Sequence, residues 1–191
     1  DTQTRRVVSK TARNVVVQGE AFTGAQGPVP LTTAVPTFPA DPGVQKIIDT
    51  YRAAAIPLAQ RPVGQAQGAM RRQPNAALES VLGNLVADAQ LLATRAPADG
   101  GAQLSFMNPG GLRADLVPDE QGLVRYGQLY AVQPFGNQLV IKTFTGAQIR
   151  AVLEQQFASG GNTVQRPRVL SVSGGFSYRY DLSQPTGARI S

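Results

Sequence analysis

The stretch Gln103-Leu104-Ser105-Phe106-Met107-Asn108-Pro109-Gly110-Gly111-Leu112-Arg113-Ala114-Asp115 marks the change of pattern that decides the fold. Ahead of it, apolar residues recur at helical spacing. Behind it, short alternating runs mix with single helical turns. Gln103 to Met107 reads as a strand. Asn108-Pro109-Gly110-Gly111 fits a type II turn, with Pro at the second position and Gly at the third, where positive φ is required. A helical half that runs into short strands and turns predicts an α+β, or mixed α/β, fold: a mixed sheet flanked by helices.

Working back from Gln103, a helix is predicted from Pro74-Asn75 to about Thr94. Leu78, Val81, Leu82, Leu85, Val86, Ala89, Leu92 and Ala93 form its apolar face. Gly83 stands in mid-helix, where Gly costs about 1 kcal/mol relative to Ala. That cost suggests close approach by another backbone or a ligand, with close packing the commoner cause. An earlier helix starts at Asp41-Pro42, because Asp caps free N–H groups and Pro lacks the N–H that the first turn leaves unpaired. Val44, Ile47, Ile48, Tyr51, Ala54 and Ala55 repeat along it. Pro57 should kink or end it, and Pro62-Val63-Gly64 closes the element. Residues 1–40 read as an extended, β-rich arm. Arg6-Val7-Val8 and Asn14-Val15-Val16-Val17-Gln18 are β-branched runs, followed by a connector rich in Gly, Pro and Thr.

Working forward, Leu123 to Tyr126 is a short strand, Gly127 to Val132 one or two helical turns, and Pro134-Phe135-Gly136-Asn137 a turn. Gln138 to Phe144 alternates as a strand. Thr145-Gly146-Ala147-Gln148 is a capping box that opens a helix with Ile149, Val152, Leu153 and Phe157 on one face. Ser159-Gly160-Gly161-Asn162 ends it. Val169 to Val172 and Phe176 to Tyr180 read as a hairpin around Ser173-Gly174-Gly175. Ala188 to Ser191 reads as a strand beginning, with no closing element after it. That pattern predicts truncation at the C-terminal end.

The 191 residues suit one domain, or one domain plus an arm. Cysteine and histidine are both zero, which excludes disulfides, thiolate nucleophiles, zinc fingers and histidine-based triads. The 12 carboxylates are scattered, and only Asp119-Glu120 are adjacent, so no local motif promises a metal site. No catalytic residue is assigned to this chain. The net charge is +6, carried by 15 Arg and 3 Lys without a run of five. This reads as a solvated surface and not as a nucleic-acid interface. No apolar run approaches the ~20 residues of a membrane helix. Asp1-Thr2-Gln3-Thr4-Arg5-Arg6 has no apolar stretch behind it and does not read as a signal peptide.

Three motifs could carry chemistry. In Asn108-Pro109-Gly110-Gly111-Leu112-Arg113-Ala114-Asp115, the glycines let N–H groups face an anion, Arg113 could complete the site, and Asp115 could orient Arg113. Spacing alone favours a tight turn with a surface salt bridge. In Pro134-Phe135-Gly136-Asn137, the Phe135 ring could stack on a flat base and Asn137 could read its edge. Taken alone, a core Phe beneath the turn is the better reading. Arg71-Arg72 could reach a phosphate near a helix N-terminus. The ordinary outcome for such a pair is an exposed linker.

The order of these blocks resembles a known family. Gly83-Asn84-Leu85-Val86-Ala87-Asp88-Ala89, then Asn108 to Leu116, then Tyr126-Gly127 through Tyr130-Ala131-Val132-Gln133-Pro134-Phe135-Gly136-Asn137, then Thr145-Gly146 and Val152-Leu153-Glu154-Gln155, are similar to the C-terminal domain of 5'-nucleotidases. These proteins are also described as UDP-sugar hydrolases or 2',3'-cyclic-nucleotide phosphodiesterases. The resemblance covers about residues 62–191. It implies that 1–40 is the tail of a preceding metallophosphoesterase domain and that 41–61 is a bridging helix.

The resemblance also implies a division of labour. The metallophosphoesterase domain would hold two divalent metals and cleave the substrate. This chain would supply substrate recognition and hold no cofactor. Phe135 would stack on the base and Asn137 would sit near it. Arg113 and Arg72 would hold phosphate, while Asn108, Gly110, Gly111 and Gly136 shape the loops. The partners implied are a nucleotide and the metallophosphoesterase domain of the same parent chain. The location implied is the periplasm or the cell surface. A second stacking Phe and a ribose-binding Asp belong to a Gly-Gly-Asp-Gly block that this sequence does not contain. Three other readings share these residues: the equivalent part of a sulfur-oxidation hydrolase, a nucleotide-binding module without hydrolysis, and an interaction surface in which Phe135 is core.

Overall fold

The computed structural model describes residues 3–14, 18–24 and 27–191. It divides into two compact units, Asp1–Ala54 and Ala55–Ser191. In the first unit, β1 (Phe22–Gly24) pairs antiparallel with β2 (Gly27–Val29), with Phe22 opposite Val29. Gln18 forms an isolated parallel bridge with Thr37 and donates from Nε2 to the Thr32 carbonyl at 2.9 Å. Arg6-Val7-Val8 lies outside any strand, and Val15 to Val17 lie outside the described residues.

Helix α1 (Pro42–Ala59) begins where the sequence placed it. Asp41 Oδ1 accepts from the N–H groups of Gly43 and Val44 at 2.7 and 3.0 Å. Pro57 is accommodated inside the last turn. Val44, Ile47, Ile48 and Tyr51 are all exposed. The boundary between the two units falls within this helix.

In the second unit, the expected end of that element is instead a strand. β3 (Pro62–Gln65) pairs antiparallel with β5 (Leu123–Arg125), with a bulge between Pro62 and Gly64. The pairing continues irregularly, with Ala66 N–H donating to the Gly122 carbonyl at 2.8 Å. Met70 and Leu116 then bond each other's backbone in both directions. This return path sets Arg71 and Arg72 beside Asp115.

Helix α2 (Val81–Thr94) starts five residues later than the Pro74-Asn75 signal suggests. Asn75 is spent on a turn of its own. Its Oδ1 accepts from Ala77 and Glu79 N–H at 2.9 and 3.0 Å, and Leu78 takes φ +59°. Ser80 is the true N-cap, accepting from Gly83 N–H at 3.1 Å. Leu82, Gly83 and Ala87 are buried, whereas Val81, Leu85 and Leu92 of the expected apolar face are exposed.

Gly83 is explained by β6 (Ser171–Val172), which pairs antiparallel with β4 (Phe106–Met107) and packs on α2. A Cβ on Gly83 would meet Ser171 Oγ at 1.9 Å. The expected 169–180 hairpin is therefore corrected. Its turn exists, with Phe176 N–H bonded to the Ser173 carbonyl, but β6 pairs with β4 instead. Ser105 N–H donating to Ser173 Oγ at 2.9 Å extends that pairing. The segment after the turn pairs with the chain end, where Arg179 and Ser191 exchange two 3.0 Å backbone bonds.

α3 (Tyr126–Val132) follows β5 directly. α4 (Gly146–Glu154) opens on the expected capping box, Thr145 with Gln148. Gln138 to Phe144 is not a paired strand. Among the described residues, no backbone hydrogen bond reaches it. The architecture is thus α+β, with helices on small two-stranded antiparallel sheets. Two apolar clusters fill this unit. One gathers Leu82, Ala87, Met107, Leu112, Leu116, Val124 and Val132. The other gathers Leu153, Phe157 and Ile190 against rings such as Phe106, Phe176 and Tyr180. No helix among the described residues is long and apolar enough to cross a membrane.

Candidate functional site

The loop after β4 is a tight 3-10 turn over Pro109–Gly111. Gly111 N–H donates to the Asn108 carbonyl at 3.1 Å and Leu112 N–H to the Pro109 carbonyl at 3.2 Å. Gly110 does not take positive φ, so the type II expectation is corrected. A Cβ at 111 would meet Met107 Cε, the far end of a flexible side chain that borders the cavity described below, so Met107 would have to shift to admit it.

The loop is tied to the end of α3, because Arg113 N–H donates to the Val132 carbonyl at 2.9 Å. This bond brings Arg113 to the turn at 134–136, where Gly136 takes φ +61°. The Arg113 guanidinium carbon lies 5.7 Å from the centroid of the Phe135 ring. Phe135 is 58% exposed and is not core.

Arg72 joins the group by donating from Nη1 to the Arg113 carbonyl at 3.1 Å. Asp115 does not orient Arg113 as the spacing suggested. Its Oδ1 accepts from Arg72 N–H at 2.9 Å, and its Oδ2 meets Arg71 Nη1 at 2.9 Å. Those bonds, the Arg72 N–H first and the Arg71 side chain second, hold the Asp115 carboxyl below its usual value. Arg71 meets the start of α2 through its carbonyl, which accepts from Ser80 Oγ and Leu82 N–H, while its guanidinium is committed to Asp115.

Beside this loop lies a cavity of about 650 Å³. Asn108, Gly111, Phe135, Gly136 and Asn137 line it, whereas Arg113, Gly110 and Arg72 do not. Sequence reasoning missed Gln90 and Gln133 on its wall. Both carboxamides point their Nε2 at Met107 Sδ, at 3.4 and 3.6 Å, and Gln133 Nε2 is also 3.5 Å from the Gly111 carbonyl. Gln133 immediately precedes the Pro134-Phe135 turn, and that adjacency was the available signal. Gln90 gave none, since it falls outside the apolar face expected for the helix.

The chemistry gathered here is an exposed aromatic ring, uncharged amide groups lining a cavity, and the Arg113 guanidinium beside that ring. Such a set suits a planar ring carrying an anionic group. It offers no nucleophile with an adjacent base. The donor set does not fit a metal ion either. The sequence has neither His nor Cys, and no three Asp or Glu converge among the described residues.

A family model described as 5'-nucleotidase, C-terminal domain, matches residues 62–191. The trifunctional nucleotide phosphoesterase protein YfkN of Bacillus subtilis is 34% identical over 115 residues, covering 59% of this chain and 7% of its own. The cell wall protein Lmo0130 of Listeria monocytogenes is 42% identical over 85 residues, covering 42% of this chain and 11% of its own. Among solved structures, a 5'-nucleotidase precursor from Thermus thermophilus superposes with a TM-score of 0.62 at 34% identity, covering 80% of this chain and 29% of its own. The chain therefore spans less than a third of the length of each of these relatives.

Proposed function

Because this chain belongs to the 5'-nucleotidase C-terminal domain family, we propose that it is the substrate-recognition part of a metal-dependent phosphoesterase that splits nucleotides into nucleoside and phosphate. The observation that carries this reading is that Phe135, Asn108, Gly111 and Asn137 line the same cavity, with Arg113 over the Phe135 ring. The Phe135 ring takes the base, since flat bases stack on exposed rings. Asn137 and Asn108 offer donors and acceptors to the base or ribose. Arg113 turns spare guanidinium donors toward phosphate, and Arg72 braces the Arg113 backbone.

Cleavage belongs to a separate metallophosphoesterase domain of the parent protein. Two divalent metals held by that domain would supply water activation and charge neutralisation. Residues 1–40 and 41–61 are then the tail of that domain and the bridge from it. A periplasmic or cell-surface location agrees with the description of the Listeria relative as a cell wall protein.

Two measurements test the division of labour. Titration of the chain with AMP or UMP, followed by NMR, should shift Phe135, Arg113 and Asn137. No perturbation there at millimolar ligand refutes the recognition role. Phosphate release from AMP with added Mn²⁺ or Zn²⁺ should stay at background, and clear turnover by these 191 residues refutes the separation.

A further inference from the structure

The contact between Arg113 and Phe135 assigns the arginine a second task. Residues 134–144 have no backbone hydrogen bond to the rest of the described chain. Phe135 is 58% exposed and meets no other aromatic ring among the described residues. Among the described residues, the cation over its ring is the Arg113 guanidinium, 5.7 Å from the ring centroid.

Arg113, by contrast, is anchored at both ends. Its N–H is bonded to the Val132 carbonyl, its own carbonyl accepts from Arg72, and its Nη1 is 3.4 Å from the Gly110 carbonyl. Phe135 lines the cavity and Arg113 does not. Arg113 therefore does not stand in the cavity space that Phe135 borders. A cation over one face leaves the other face free to stack and fixes the ring plane against which a base would lie.

We propose that Arg113 is a positioning residue for base binding. It backs the Phe135 ring, so that it strengthens the hold on the nucleoside moiety as well as on phosphate. This rests on the reading of Phe135 as the base-stacking residue. It separates Arg113 from a pure phosphate grip, because a nucleoside carries no phosphate for the arginine to meet.

The test uses adenosine and uridine beside AMP and UMP, with the 191-residue chain, Arg113→Ala, Arg113→Lys and Phe135→Leu followed by NMR. Cation–ring contacts at exposed sites correspond to about a two- to fivefold change in an equilibrium constant. Arg113→Ala should therefore weaken adenosine and uridine by about that factor, and Arg113→Lys should recover part of the loss. The Arg113 Nε–H resonance should carry a ring-current shift that disappears in Phe135→Leu.

Unchanged or tighter nucleoside binding in Arg113→Ala, with AMP and UMP weakened, overturns the proposal and leaves base stacking standing. Absence of the ring-current shift overturns it at the level of the contact itself. If neither nucleoside nor nucleotide perturbs Phe135 in the unmutated chain, the base-stacking reading fails and this proposal falls with it.

Discussion

Gly83→Ala is the substitution that most directly tests the packing beneath the site. In an open helix, this change stabilises by about 1 kcal/mol, because Ala loses less backbone freedom on folding. Here the new Cβ would lie 1.9 Å from Ser171 Oγ and 2.7 Å from Ser171 Cβ. Both residues are buried. Ser171 is held in register opposite Met107, so its backbone cannot retreat without disturbing the β4–β6 ladder. Overpacking of this kind costs about 1–3 kcal/mol, and a separation as short as 1.9 Å belongs at the upper end. Subtracting the helix gain leaves a net loss of about 2 kcal/mol. For a chain of this size, that lowers the melting temperature by about 4–8 °C. The assay is urea unfolding by circular dichroism, with thermal melts as a second measure. Both clashing atoms belong to one side chain, so Ser171→Gly in the Gly83→Ala background should recover most of the clash term, and a double-mutant cycle should show strong coupling. A more stable Gly83→Ala, or additive effects in that cycle, refutes the assignment of Gly83 to packing against β6.

Two further outcomes follow from single groups. Glu154 is nearly buried, and its two carboxyl oxygens accept from Gly187 N–H at 3.0 Å and Ile190 N–H at 2.7 Å. Glu154→Gln sets an NH₂ group against one of these donors and should cost about 1–3 kcal/mol, with faster amide exchange at Ile190; unchanged exchange there counts against the role. Asp115 has its folded pKa depressed below 3.8, chiefly by the Arg72 N–H and then by Arg71. A depressed carboxylate contributes its full stability above its unfolded pKa and loses it as pH falls through the lower folded value. The Arg71–Asp115 pair should therefore persist at pH 5 and dissolve only below pH 3.8, as read from the Asp115 carboxyl shift; a midpoint above 3.8 contradicts the bonding described.

The features that sequence reading recovered have their partners a few residues away. Asp41 caps Gly43 and Val44, and Thr145 and Gln148 cap each other. Both bonds are local, so both were legible. β3 was not, because Pro62–Gln65 becomes a strand only by pairing with Leu123–Arg125, about sixty residues on. The start of α2 was misplaced because two capping residues compete. Asn75 closes its own turn, while Ser80 is backed by the Arg71 carbonyl. The same rule governs the site. Turn chemistry pointed to Asn108, Phe135 and Asn137, which do line the cavity. The anchoring of Arg71 and Arg72 by Asp115 crosses more than forty positions and left no local trace.

Gln138 to Phe144 shows where such reasoning stops. The alternation of Leu139, Ile141 and Thr143 with Val140, Lys142 and Phe144 fits a strand, and no helix forms there. Yet Leu139, Val140, Ile141 and Phe144 are all exposed, and no backbone bond among the described residues reaches the segment. Periodicity reports which conformation a segment prefers. A ladder also needs a second backbone at about 4.8 Å, and no pattern within seven residues can report whether one is present. Residues 138–144 also line the 650 Å³ cavity, together with Ser105 and Phe106. The side of the cavity near Phe135 is therefore defined by side chains tied into α3 and the 108–113 loop. The 138–144 part of its lining comes from a segment that makes no backbone–backbone hydrogen bond among the described residues, and only the first of these could be inferred from residue types.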